Sequence, residues 1–154
     1  MRAQVDEQSV INANSQFWEQ MLAMTLDPMP SPLGFSAAVG HVMGSVDLHG
    51  NWKGRIEVRL TEALAYQATA AMMMQSVDTV VEADALDATK EIANMIAGTI
   101  KSSLPRPCSM SVPESAIGVE TFDGKEPTED TLMVMFRHQS GDMIVRIHEQ
   151  ECVQ

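Results

Sequence analysis

The architecture predicted by this sequence is an α/β (α+β) sandwich, with helices packed on one mostly antiparallel sheet. Three observations predict it. Segments of helical period alternate with segments of period two. Two pairs of the latter are joined by short turns, HGNWKG and QSGD, as antiparallel hairpins. The 45% apolar content, spread over 154 residues, suffices for a core without staples.

The elements follow in order. Val10 to Leu26 carries Ile11, Phe17, Trp18, Met21, Leu22 and Leu26 at near-helical spacing, which predicts a first helix. DPMPSPLG then holds three prolines and a glycine in eight residues and reads as a connecting loop. Val42, Gly44, Val46 and Leu48 alternate with Met43, Ser45 and Asp47, and after the turn Ile56, Val58 and Leu60 alternate with Glu57 and Arg59, a hairpin with one buried face. TEALAYQATAAMMM, from Thr61, has neither glycine nor proline and favours helix. Asp84 to Ser103 is the next helix, stopped by Pro105, with Asp84 as N-cap and Asp87 in the first turn. CSMSV and AIGVETF are short strand candidates, and Thr131 to His138 with Met143 to His148 forms a second hairpin. A helix followed by a strand pair occurs twice, which admits an internal duplication. No linker divides the chain, so residues 1–154 are expected to form one domain with its core at about 9–149.

Charge narrows the function. Ten basic against 21 acidic residues give a net charge of -11, which repels a phosphate backbone and an anionic membrane surface alike. Nucleic acid and membrane are thereby excluded as partners. MRAQVDEQSV holds no apolar signal core and no run is long enough to span a bilayer, so a cytoplasmic location is expected. Cys108 and Cys152 form no CxxC and are expected to be reduced thiols.

At about 100° per residue, the helix from Asp84 places Asp84, Asp87, Glu91, Asn94, Gly98 and Lys101 on one stripe, with Leu86, Ile92, Ala93, Ile96 and Ile100 on the other side. Burying the second set holds Glu91 and Asn94 one turn apart on a rigid mount. Gly98, costing about 1 kcal/mol relative to alanine in a helix, suggests an approaching partner surface or a crossing helix. Polar residues on the outer face of an amphipathic helix are most often a solvated surface, and periodicity does not separate the two readings.

Asp87, Glu91 and Asn94 fit a pattern of Asp or Ser, three residues, Glu, two residues, Asn. In this, and in the NMIAGTIKSSLP that follows and the upstream HGNWKGRIEVRLTEALA, the chain resembles the CheC, CheX and FliY phosphatases of bacterial chemotaxis over most of its length. The resemblance implies hydrolysis of the aspartyl-phosphate of a CheY-like response regulator. In it the Asn94 carboxamide orients the attacking water and Glu91 engages the regulator's lysine. Asp87, Gly98 and Lys101 then belong to the partner-binding surface, and Mg²⁺ comes with the regulator. Such modest groups suit phosphoryl transfer, which needs mainly positioning and charge neutralisation. The first helix carries Ser15 and Glu19 at the same spacing but Leu22 where asparagine is required, leaving one site per chain. This is similar to CheX, whose subunits pair through their sheets, and so implies a homodimer. Pro113 is out of register with the downstream proline of the wider family.

Other features point elsewhere or nowhere. His41, His49, His138 and His148 lack metal-ligand spacing and read as surface or turn residues, so no metal site is expected. Met72 to Met74 read as core filling rather than an adaptable binding surface. Trp52 is open between a surface anchor and a cover for the sheet edge, and ETFDGKEPTED, Glu120 to Asp130, reads as a solvated excursion.

Overall fold

The computed structural model describes residues 5–29, 40–118 and 131–150. Helix α1 is Glu7–Leu22, earlier at both ends than its apolar spacing predicts. Asp6 fixes the start, accepting from the Ser9 N–H at 2.8 Å, and that bond holds its carboxyl below the usual range. Ala23 fixes the end in the left-handed conformation, φ 53°, so that Leu26 is buried from beyond the helix.

The segment expected to be wholly loop contributes a strand, β1 (Asp27–Met29), antiparallel to Thr131–His138 (β6). Pro28 is tolerated because β1 is an edge strand, which needs hydrogen bonds on one side only. The predicted hairpin is β2 (His41–Gly50) and β3 (Gly54–Thr61), followed by α2 (Glu62–Met73) and α3 (Glu82–Lys101). Beyond α3 come β4 (Cys108–Met110), β5 (Glu114–Gly118), β6 and β7 (Gly141–Glu149). Glu120 to Asp130 and Cys152 lie outside the described residues. No helix among those described is long and apolar enough to cross a membrane.

All described strand pairs are antiparallel, in the order β1-β6-β7-β3-β2-β4, with β5 also on β2. Strands β4 and β5 share the free edge of β2 in succession. Their registers, Leu48↔Met110 and Ser45↔Glu114, set Ser111, Val112 and Pro113 against Val46 and Asp47 alone, which makes a one-residue bulge. Ser111 secures it, donating its N–H to the Asp47 carbonyl at 2.8 Å and accepting the Asp47 N–H on Oγ at 2.9 Å. The order has an internal logic. A helix, an edge strand and a hairpin occur twice, and each edge strand pairs with the other half's hairpin, as the repeated order in the sequence suggests.

One face of the sheet carries Val42, Val46, Leu48, Ile56, Val58, Leu60, Met143, Val145 and Ile147, all buried beneath the helices. Gly44 lies on the same face where α3 comes closest. A Cβ there would stand 2.7 Å from the Thr89 carbonyl oxygen and 3.1 Å from the Ala93 Cβ. Only glycine lets helix and strand meet at this distance. Trp52 is 1% exposed, so it belongs to the core and is neither anchor nor edge cover. His41 is buried as well, unlike the surface histidine expected.

Gly44→Ala is expected to lower unfolding stability by about 1–3 kcal/mol, the usual cost of overpacking, because backbone rather than a movable side chain must yield. Urea denaturation checks it. A loss below about 0.5 kcal/mol, the range of neutral surface changes, would mean that the contact is not tight.

Candidate functional site

Helix α3 carries the candidate residues. Ala85, Ala88, Thr89, Ile92, Ala93, Ile96, Ala97 and Ile100 are buried against the sheet and the other helices. Among them the Thr89 hydroxyl donates to the Ala85 carbonyl at 2.8 Å, which satisfies a polar group that would otherwise be costly to bury. The opposite stripe is outward. Asp87 and Glu91 are exposed, and Asn94, Gly98 and Lys101 are half-buried.

Glu91 and Asn94 stand about 4.5 Å apart along the axis and about 60° apart around it. Among the described residues neither side chain has a hydrogen-bond or ion-pair partner, so both keep their bonding capacity. A carboxylate and a carboxamide so placed can accept from a cation and both donate to and accept from a water or a phosphoryl oxygen. They contain no activated nucleophile.

The helix ends differ from expectation. Its N-cap is Val81 rather than Asp84, so Asp84 falls in the first turn and Asp87 in the second, beyond the strongest part of the helix dipole. At the other end the regular helix stops at Lys101, and the Ser103 and Leu104 N–H groups turn back to Ile100 and Lys101 in tighter bonds of 3.1 and 3.0 Å. A Cβ added at Gly98 would meet nothing within 4 Å. Among the described residues no crossing helix occupies that space.

Gly98 and Lys101 border a groove of about 480 Å³ that continues to Arg106, Pro107 and Cys108. The Cys108 thiol is free and half-buried, 3.6 Å from the Trp52 carbonyl. Lys90 and Arg106 went unnoticed in the sequence, although Lys90, four residues before Asn94, shares its side of the helix.

The degenerate copy of the motif sits differently. Leu22 is the last residue of α1 and packs against the core, whereas α3 continues for two turns past Asn94. Met73 and Met74, read from sequence as core, are 47% and 93% exposed, and Met72 alone of the three packs against the core. The α2 helix ends at Met73, and its C-cap Met74 is left-handed, which swings these residues off the buried face. Among the described residues no group of three histidine, cysteine or acidic side chains could hold a metal ion.

A groove of about 400 Å³ on the opposite face of the sheet is lined by Asp47, His49, Arg55, Glu57, Arg146 and His148, among others. There Arg55 pairs with Asp47 at 2.8 Å and holds its carboxyl below the usual range.

The family model of the chemotaxis phosphatase CheX matches residues 42–135, more than half of the chain and including all of α3. No curated protein sequence matches. Among solved structures, CheX of Vibrio vulnificus is 19% identical, with a TM-score of 0.76 over 97% of this chain and 100% of that one. A CheC-like superfamily protein of a Shewanella species is 19% identical at 0.77, over 98% and 100%. CheX of Borrelia burgdorferi, in a complex with CheY, BeF3 and Mg²⁺, is 18% identical at 0.72, over 94% and 97%. These likenesses establish the fold.

Gly98→Gln is expected to raise stability by up to about 1 kcal/mol, since glutamine is the better helix former and the space is open. A thermal melt checks it, and a lowered midpoint would mean that the position is crowded after all.

Proposed function

The chain belongs to the CheX family of chemotaxis phosphatases, and from that premise we propose that it hydrolyses the aspartyl-phosphate of a CheY-like receiver domain in the cytoplasm. One observation carries the reading: Glu91 and Asn94 stand outward on a helix whose other face is buried, with no bonding partner among the described residues. The Borrelia complex with CheY supports the class of partner.

In this reading α3 enters the receiver's active site. The Asn94 carboxamide holds a water in line with the phosphorus–oxygen bond of the acyl phosphate, accepting from the water and fixing its direction. Glu91 pairs with the receiver's lysine and so sets the depth and angle of approach. Mg²⁺ is held by the receiver and neutralises charge on the phosphoryl oxygens. Water attacks phosphorus, the bond to the aspartate oxygen breaks, and the products are a free aspartate carboxylate and inorganic phosphate. Asp87, Gly98 and Lys101 contribute surface to the docking. Positioning accounts for the rate, since little covalent chemistry is asked of the enzyme.

Asn94→Ala should lower kcat by on the order of 10²- to 10³-fold, the usual worth of one preorganised polar group at such a centre. KM should remain nearly constant, because the interaction matters chiefly in the transition state. Glu91→Ala should raise KM as well. Phosphate release at saturating receiver decides: equal rates for wild type and Asn94→Ala, with wild type active, would refute the mechanism.

The family resemblance further supports a homodimer formed through the sheets. The described sheet ends at β1 on one side and at β4 and β5 on the other, and Ala116 and Ile117 are exposed on β5. Open strand edges favour pairing. Light scattering at micromolar concentration should give twice the monomer mass, and a monomer mass would reject this pairing.

A further inference from the structure

Cations are scarce in this chain, and their distribution is uneven. Arg55, Arg59 and Arg137 are ion-paired to Asp47, Glu57 and Asp142. Among the described residues Lys53, Lys90, Lys101, Arg106 and Arg146 have no such partner. Three of these five lie along one flank of α3 and the groove at its end. Lys90 precedes Asn94 by one helical turn and Lys101 follows it by two, both on the same flank of the stripe. Arg106 joins Lys101 along the groove beyond Gly98.

That groove has a firm wall. The Asn51 N–H donates to the Pro107 carbonyl at 2.9 Å, and the Asn51 amide donates to the Arg106 carbonyl. Gly50 lies so close beneath that a Cβ would collide with the Pro107 oxygen. The turn between β2 and β3 therefore pins the backbone that carries Arg106. The opposite flank and the start of α3 are acidic, with Asp84, Asp87 and Glu91.

We propose that Lys90, Lys101 and Arg106 form a cationic rim that receives an acidic patch of the receiver beside its phosphorylated aspartate and so fixes which way round the receiver lies on α3. The inference rests on the phosphatase reading above and adds to it a source of affinity and orientation. A chain of net charge -11 repels an acidic partner at long range. Unpaired cations concentrated along the approach offset that repulsion where contact is made, and charges at the rim of a contact act mainly on association rate and its salt dependence. Lys101 also complements the helix dipole in the last turn. That role is confined to stability and leaves association rates unaffected.

The test is binding to receiver domains trapped with beryllofluoride, an acyl-phosphate mimic, followed by stopped flow. For the wild type the association rate should fall about tenfold between low and physiological salt. In Lys90→Glu/Lys101→Glu it should fall about thirtyfold at low salt and lose most of its salt dependence, with dissociation changed by less than about threefold. Lys53→Glu/Gln67→Glu/Gln139→Glu makes the same change in net charge at exposed positions away from α3 and should stay within about threefold of wild type. Arg106→Glu, outside the helix, should shift the rate in the same direction even where the double variant folds poorly. Asn94→Ala should bind with the wild-type salt dependence.

Equal rates for the rim and control variants, with wild type binding, would overturn the rim and leave the phosphatase reading intact. Absence of binding by wild type to every trapped receiver would overturn both. A change in oligomeric mass on reversing the rim would show that it joins two copies of this chain instead.

Discussion

The space above Gly44 is the constraint on which the rest depends. The Thr89 carbonyl and the Ala93 methyl occupy what any side chain at residue 44 would need, so α3 rests directly on the backbone of β2. That contact has two consequences. The helix cannot roll about its axis without driving backbone into backbone, and Ile92, Ile96 and Ile100 bury themselves only in this orientation. The outward stripe is therefore set from below. Glu91 and Asn94 owe their direction to a glycine on the strand directly beneath their helix.

Such a mount suits the chemistry proposed for it. A pair of side chains on a helix surface cannot exclude water or polarise a substrate, as a cleft can. What it can do is hold two polar atoms in a fixed relation and enter a cleft belonging to a partner. In the proposed reaction the receiver would supply the metal and the enclosed site, and this chain a positioned carboxamide. The comparison with α1 sharpens the point. Ser15 and Glu19 stand at the same spacing, but Leu22 replaces the asparagine at the last residue of the helix and packs inward. Asn94 has two further turns of α3 behind it, ending at Lys101 and the groove beside Arg106.

Much of this was legible in the sequence, for physical reasons that also explain what was not. The two hairpins announced themselves because alternation and short turns are local, and β6 has the bounds its pattern predicts. The stripe on α3 was legible because a buried isoleucine face leaves its complement by subtraction. Strand β1 was hidden by Pro28, which local rules exclude from strands and which only an edge position permits. The ends of α1 and α3 were displaced because capping by Asp6, Ala23 and Val81 depends on backbone geometry more than on apolar spacing. Burial of Trp52 comes with its ring folding back over Gly54, in space that a side chain at residue 54 would fill, and residue type alone does not disclose that fold-back. Met73 and Met74 illustrate the converse, since composition places methionine inside while the end of α2 turns these two outward.

The central claim is that the outward pair on α3 accelerates loss of the phosphoryl group from a receiver. The direct measurement is the time course of inorganic phosphate release from labelled, phosphorylated receiver domains, with and without catalytic amounts of this chain, at saturating Mg²⁺. The account predicts that one receiver at least loses its phosphate many times faster than it does alone, with each molecule of this chain turning over repeatedly. Tight binding to a phosphorylated receiver whose decay stays at its spontaneous rate would contradict it and would make the chain a docking adaptor instead.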